Sequence, residues 1–256
     1  SRASGWVFVA SVFQQHQEAI DVDYVDIDGV KLAYRETGSG YPLVLAHEFA
    51  GSMESWDQQV NYFARKYRVI VYNARGYTPS DVPEDPDVYH HQQQVEDLKG
   101  LLDHLGIEEA HIGGLSMGAY TTIGFGLTYP EMSKSLIVAG AGSGSEDVEK
   151  FHQNSADYAD QMDSGGMEAM AKYVGGDTRA RFRHKDPAGY ALFEELFMSH
   201  SNKGAANTFR GFQGTRPSIY TREAELKNLR VPMFVINGDE DEPCLEPGLF
   251  LERTVP

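Results

Sequence analysis

A serine lies between two glycines, with one residue on each side, at Gly114-Leu115-Ser116-Met117-Gly118. This pentapeptide joins a β-prone run, "AHIGG", to an apolar helical run, "MGAYTTIGFGL". A serine held on a sharp strand-to-helix turn tolerates almost no side chain two residues to either side. The helix start then offers free N–H groups and partial positive charge beside the reacting oxygen. In this context the spacing points to a nucleophilic serine and not to an ordinary glycine-rich helix start. A second candidate is the acidic run Asp239-Glu240-Asp241-Glu242, which follows the apolar "VPMFVIN". Its residue types alone allow either a functional carboxylate or a solvated acidic turn. Nine histidines are present, and none follows Asp241. The adjacent pair His90-His91 lacks the spacing of a ligand set, so no metal and no cofactor is expected.

These residues need a scaffold, and the surrounding pattern supplies one. "DYVDIDGVKLAYRETG" reads as a hairpin around Asp28-Gly29. "PLVLA", "RVIVYN", "AHIGGLS" and "SLIVAG" are short apolar runs of the kind found in strands buried on both faces. Between them lie "SMESWDQQVNYFARKY", "HQQQVEDLKGLLDHLGI" and the helix after Ser116, all with helical spacing. Alternation of this kind specifies an α/β fold with a mostly parallel sheet and helices on both faces. The rhythm breaks at about residue 143 and resumes near residue 216. The expected organisation is a tail over 1–21, a first core part over 22–142, a helical cap over 143–215 and a second core part over 216–256.

Composition bounds the function. The formal charge of −16 argues against nucleic acid and anionic membrane surfaces as partners. No apolar run reaches the roughly 18 residues of a membrane-spanning helix. Cys244, the lone cysteine, excludes an intrachain disulfide and fits a reducing cytoplasm.

With these motifs in this order, the chain resembles the α/β-hydrolase superfamily from about residue 22 onward. The resemblance rests on the hairpin, a strand followed by a histidine-containing loop, "NARGYTPSD", the serine turn, a helical insertion and "INGDEDEPC". It implies that Ser116 is the nucleophile and that the backbone N–H groups of Phe49 and Met117 form an oxyanion hole. It further implies that Asp241, in a G-x-x-D arrangement, orients a catalytic imidazole. Glu146 or Asp147 is a weaker alternative for the acid. The loop His47-Glu48-Phe49-Ala50-Gly51 departs from the family's usual His-Gly pair. The expectation is that Glu48 turns away and pairs with a cation, Arg75 being the first candidate, and that His47 is a structural hydrogen-bonder.

The family order is serine, acid, histidine. Because no histidine follows Asp241, the chain is expected to stop before its general base, with the last strand and helix missing, and to be inactive alone. A true loss of the base, or substitution by His152, His184 or His200, is the alternative. The resulting expectation is a serine hydrolase of carboxylic esters, lactones or related acyl bonds. A serine in this place argues against the branches of the family that attack with an aspartate. A cofactor-free haloperoxidase-like enzyme, a C–C bond hydrolase and a noncatalytic small-molecule receptor are the alternatives. The substrate is expected to be a small molecule with an apolar acyl group. Met162, Met167, Met170, Tyr173, Phe193, Phe197 and Met198 would either line its pocket or simply pack the cap.

Overall fold

The computed structural model describes residues 22–256. The tail expected over 1–21 lies outside the described residues. A hairpin opens the fold. β1 (Asp23–Ile27) and β2 (Val30–Thr37) are joined by Asp28 at φ 53° and Gly29 at φ 81°. Two consecutive left-handed residues give the turn whose twist matches that of antiparallel strands, and Asp-Gly is a favoured pair for it.

The strands β3 (Tyr41–Ala46), β4 (Tyr67–Tyr72), β5 (Ala110–Leu115), β6 (Ser133–Ala139) and β7 (Met233–Ile236) follow. They complete a seven-stranded sheet in the order β1-β2-β4-β3-β5-β6-β7. β1 and β2 run antiparallel to their neighbours, and the others are parallel. Alternate residues serve opposite faces. Val44, Ala46, Ile70 and Tyr72 pack with α2 (His91–His104) and α3 (Met117–Thr128). Leu43, Leu45, Val69 and Val71 pack with Met53 and with Val60 of α1 (Asp57–Phe63). Burial on both faces explains why the central strands are continuous apolar runs without alternation.

The parallel register sets the site. Ala46, Gly114, Val138 and Val235 form one row across β3, β5, β6 and β7. The chain therefore leaves these four strands on the same edge of the sheet, about 4.8 Å apart. Between β6 and β7 it runs through α4 (Val148–Gly165), α5 (Asp177–Lys185), α6 (Pro187–Ser199) and α7 (Asn202–Thr208), then a π-helical turn, Phe209–Gln213. This helical segment is tied to the sheet side by Tyr120 Oη, which donates to Pro217 O at 2.8 Å, and by Asn207, which donates to the carbonyls of Pro83 and Glu84. α8 (Glu242–Thr254) follows β7. No helix among the described residues is long and apolar enough to cross a membrane.

Candidate active site

Ser116 sits between the end of β5 and the start of α3 with φ 53° and ψ −107°. A non-glycine residue there is strained, and the surroundings must hold it. They do so through backbone: Ser116 N–H donates to Ala139 O at 2.8 Å and Tyr120 N–H to Ser116 O at 3.0 Å. The flanking glycines are required by contact. A Cβ on Gly114 would lie 2.3 Å from Gly118 C, and one on Gly118 would lie 2.1 Å from Ala46 O. Gly118 thus lets the serine turn press against the end of β3, where the loop carrying Phe49 begins. Ser116 is half-buried, and its hydroxyl is not spent on capping α3.

Met117 is the first residue of α3, so its N–H has no acceptor within the helix. Among the described residues the Phe49 N–H likewise meets no acceptor. The Phe49 ring anchors its loop in an aromatic cluster, with centroids 4.3 Å from Phe209, 6.2 Å from Tyr173 and 6.4 Å from Phe197. Tyr77 lies between the two backbone segments. Its hydroxyl accepts from Ala50 N–H at 3.4 Å and lies 4.0 Å from Met117 Sδ.

His47 is committed to structure. Its Nδ1 donates to Glu48 O at 2.7 Å, and its Nε2 accepts from Ala74 N–H at 3.0 Å. Burial pushes its pKa down to about 4. A histidine neutral in the folded state and near 6.5 when unfolded stabilises fully above pH 6.5. That contribution is lost as the pH falls toward 4, and is on the order of 3 kcal/mol. The urea midpoint should therefore fall between pH 7 and pH 4.5. His47→Gln should flatten that dependence, and an unchanged pH slope in the variant would contradict the assignment.

Glu48 turns back onto its own loop. Its Oε1 accepts from Ser55 Oγ at 3.2 Å, and its carboxylate fills the space beside Gly51. The expected partner, Arg75, is engaged elsewhere. Its Nε and Nη2 donate to Asp97 at 2.7 and 2.5 Å, and its Nη1 donates to Val88 O. Asp97 on α2 reaches this guanidinium from the face of the sheet.

Asp241 precedes α8 and is half-buried, and its carboxylate does not cap the helix. It leans over the exit of β6, where a Cβ on Gly140 would come within 3.2 Å of its Oδ2. Gly140 takes φ 57° there. Cys244 lies beside it, with Sγ 3.3 Å from Gly140 O. Burial pushes this thiol up to about 12, and the charge of Asp241 acts in the same direction. The alternative acid Asp147 is otherwise employed, because it caps α4 by accepting from Lys150 N–H. Ser116 and Asp241 therefore stand on the same sheet edge, at β5 and β7, with the exit of β6 between them.

Among the described residues no histidine hydrogen-bonds the Ser116 hydroxyl. His152 Nε2 donates to Arg216 O at 2.9 Å, His200 packs edge-on to Tyr77, and His184 lies in the last turn of α5. Met162, Met167, Met170 and Phe197 are buried in the core, whereas Met198 is exposed. No group of three or more His, Cys, Asp or Glu among the described residues is placed to hold a metal ion.

A family model described as the alpha/beta hydrolase fold matches residues 41–243. The chain belongs to the α/β-hydrolase family. Among its relatives in this family is 3-oxoadipate enol-lactonase 2 of Acinetobacter baylyi, 26% identical over 212 residues. That match covers 82% of this chain and 75% of that protein. A 2-hydroxy-6-oxononadienedioate/2-hydroxy-6-oxononatrienedioate hydrolase of Paraburkholderia phymatum is 35% identical over 142 residues. It covers 50% of this chain and 48% of that protein. Among solved structures, a thermophilic esterase of Thermogutta terrifontis superposes with a TM-score of 0.80 at 26% identity. It covers 92% of this chain and 87% of that one. The α/β-hydrolase relatives are thus enzymes acting on small molecules.

Proposed function

We propose that this protein hydrolyses a carboxylic ester or lactone through a serine nucleophile, Ser116. The observation that carries the reading is the strained serine turn, packed through Gly118 against the start of the Phe49 loop. In this reading Ser116 Oγ attacks the acyl carbon, and an imidazole takes its proton. The oxyanion is held by the N–H groups of Phe49 and Met117, and each such donor is worth about 3 kcal/mol. The imidazole then protonates the leaving oxygen, and water cleaves the acyl-enzyme by the same steps. Asp241 holds the imidazole in its tautomer and stabilises its charge. In the order serine, acid, histidine, the imidazole comes from a residue that follows the acid in sequence. The helical segment acts as a cap over the acyl group. The similarity to an enol-lactonase and to an esterase supports this chemistry. A second reading, C–C bond hydrolysis, is favoured by the 35% identity to the Paraburkholderia enzyme over half of this chain. It uses the same serine and acid.

A fluorophosphonate tests the nucleophile. In the full-length protein, peptide mass spectrometry should find the adduct on the peptide containing Ser116. Ser116→Ala should remain unlabelled. An adduct on another residue, with Ser116 unmodified, would overturn the assignment.

A further inference from the structure

Three arginines are buried among the described residues, and two of them hold aspartates. Arg35 pairs with Asp57, and Arg75 with Asp97. The third, Arg216, is 5% exposed and has no carboxylate within ion-pair distance among the described residues. Its Nε donates to Gln213 Oε1 at 2.8 Å and its Nη2 to Ser143 O at 2.6 Å, both neutral acceptors. Its Cζ lies 4.9 Å from the ring centre of Tyr120 and 4.5 Å from that of Phe151. A guanidinium has five N–H groups, so three remain, two on Nη1 and one on Nη2. Nη1 makes no hydrogen bond, yet it is not among the polar atoms sealed from solvent without a partner.

Buried charges are as a rule paired, because burial removes their hydration. Aromatic rings return part of that loss to the cation but do not replace an anion. Burial pushes the Arg216 guanidinium down to about 10, which still leaves it charged at neutral pH. Its position matters as much as its charge. Tyr120 is one turn along α3 from Ser116 and bonds to its carbonyl. Ser143 lies in the loop that leaves β6 through Gly140, beside Asp241. Phe151 belongs to α4, and His152 of the same helix donates to the Arg216 carbonyl. Arg216 therefore joins the helix behind the serine, the strand exit facing the acid, and the helical segment between β6 and β7.

We propose that Arg216 is a specificity-determining residue whose open edge receives a carboxylate carried by the substrate, remote from the acyl bond that Ser116 cleaves. The proposal rests on the serine-hydrolase reading. The rings limit a partner to the edge of the guanidinium. A planar carboxylate lying in that plane satisfies two N–H groups at once. The preferred substrate class is thus an acidic ester or lactone, with one end ionised and the other acylated.

The test compares monomethyl glutarate with dimethyl glutarate on the full-length protein. Wild type should favour the mono-acid in kcat/KM by tenfold or more. Arg216→Gln should lower the ratio of the two kcat/KM values at least thirtyfold, and Arg216→Lys by less. A wild-type preference for the diester would overturn the proposal without any variant. So would a parallel loss on both substrates in Arg216→Gln, which would make Arg216 a strut between helices. Calorimetry separates failure of the two readings. Ser116→Ala should bind glutarate at least tenfold more tightly than glutaramide, and adding Arg216→Gln should remove the difference. Discrimination of this kind without turnover of either ester would sink the hydrolase reading and leave the carboxylate site standing. Equal binding of glutarate and glutaramide would sink the carboxylate site.

Discussion

Ser116→Ala is expected to lower kcat on an activated ester by on the order of 10⁶-fold in the full-length protein, with the fold retained. Alanine removes the attacking oxygen but keeps a Cβ, so it inherits the same strain at φ 53° and ψ −107°. Its stability should stay within about 0.5 kcal/mol of wild type. Ser116→Gly should be equally inactive and yet more stable than Ser116→Ala. Relief of a strained backbone is worth about 1–3 kcal/mol, and the greater entropy of unfolded glycine offsets up to about 1 of it. A net gain of about 1 kcal/mol in urea unfolding is the expected result. Comparable turnover in the alanine variant would falsify the nucleophile. A glycine variant less stable than the alanine one would show that the turn stores no strain.

Arg75→Met should cost about 3–5 kcal/mol of stability, because it leaves a buried carboxylate without its cation. Arg75 and Asp97 are 2% and 1% exposed in their side chains, and the arginine donates two hydrogen bonds to the acid. Burial pushes the Asp97 carboxyl up, while the Arg75 guanidinium pulls it back. Removing Arg75 leaves burial unopposed. The sign of the pH effect follows. A carboxyl whose folded pKa lies above its unfolded value of about 3.9 stabilises the fold below that pH, and the contribution is lost as the pH rises through the folded pKa. The deficit of Arg75→Met should accordingly be smaller at pH 5 than at pH 8. The double variant Arg75→Met, Asp97→Leu should recover much of the loss, since it leaves no unpaired charge. Equal deficits in the single and double variants would mean that packing, and not the unpaired carboxylate, sets the cost.

The scaffold was legible because its signals are local. The Asp28-Gly29 turn and the apolar strand runs each follow from a few adjacent residues. So does the serine turn, whose two glycines are forced by contacts with backbone four residues away and at the end of β3. What escaped reading was pairing across the chain. Arg75 was the first candidate for a cation beside Glu48, yet Asp97 reaches Arg75 from a helix on the face of the sheet. Arg216 gave no signal at all, since "GTRPS" carries neither charge pattern nor period. Only the fold shows that two aromatic rings and two neutral acceptors surround it. The helical segment was legible as helices, but not the π-helical turn at Phe209–Gln213, which places Phe209 against Phe49.

The common exit edge of β3, β5, β6 and β7 also governs when the protein becomes competent. Ser116 and Asp241 are separated by the whole helical segment, and only the parallel pairing of β6 with β7 brings the acid to the serine. Contacts of such long sequence separation form late, because loop closure must precede any gain from them. On the ribosome the serine turn emerges well before β7 and Asp241. A refolding chain should thus regain helical signal first and hydrolytic turnover last. Recovery of activity then times the docking of β7, and a chain trapped before that step carries a complete serine turn with nothing to activate it.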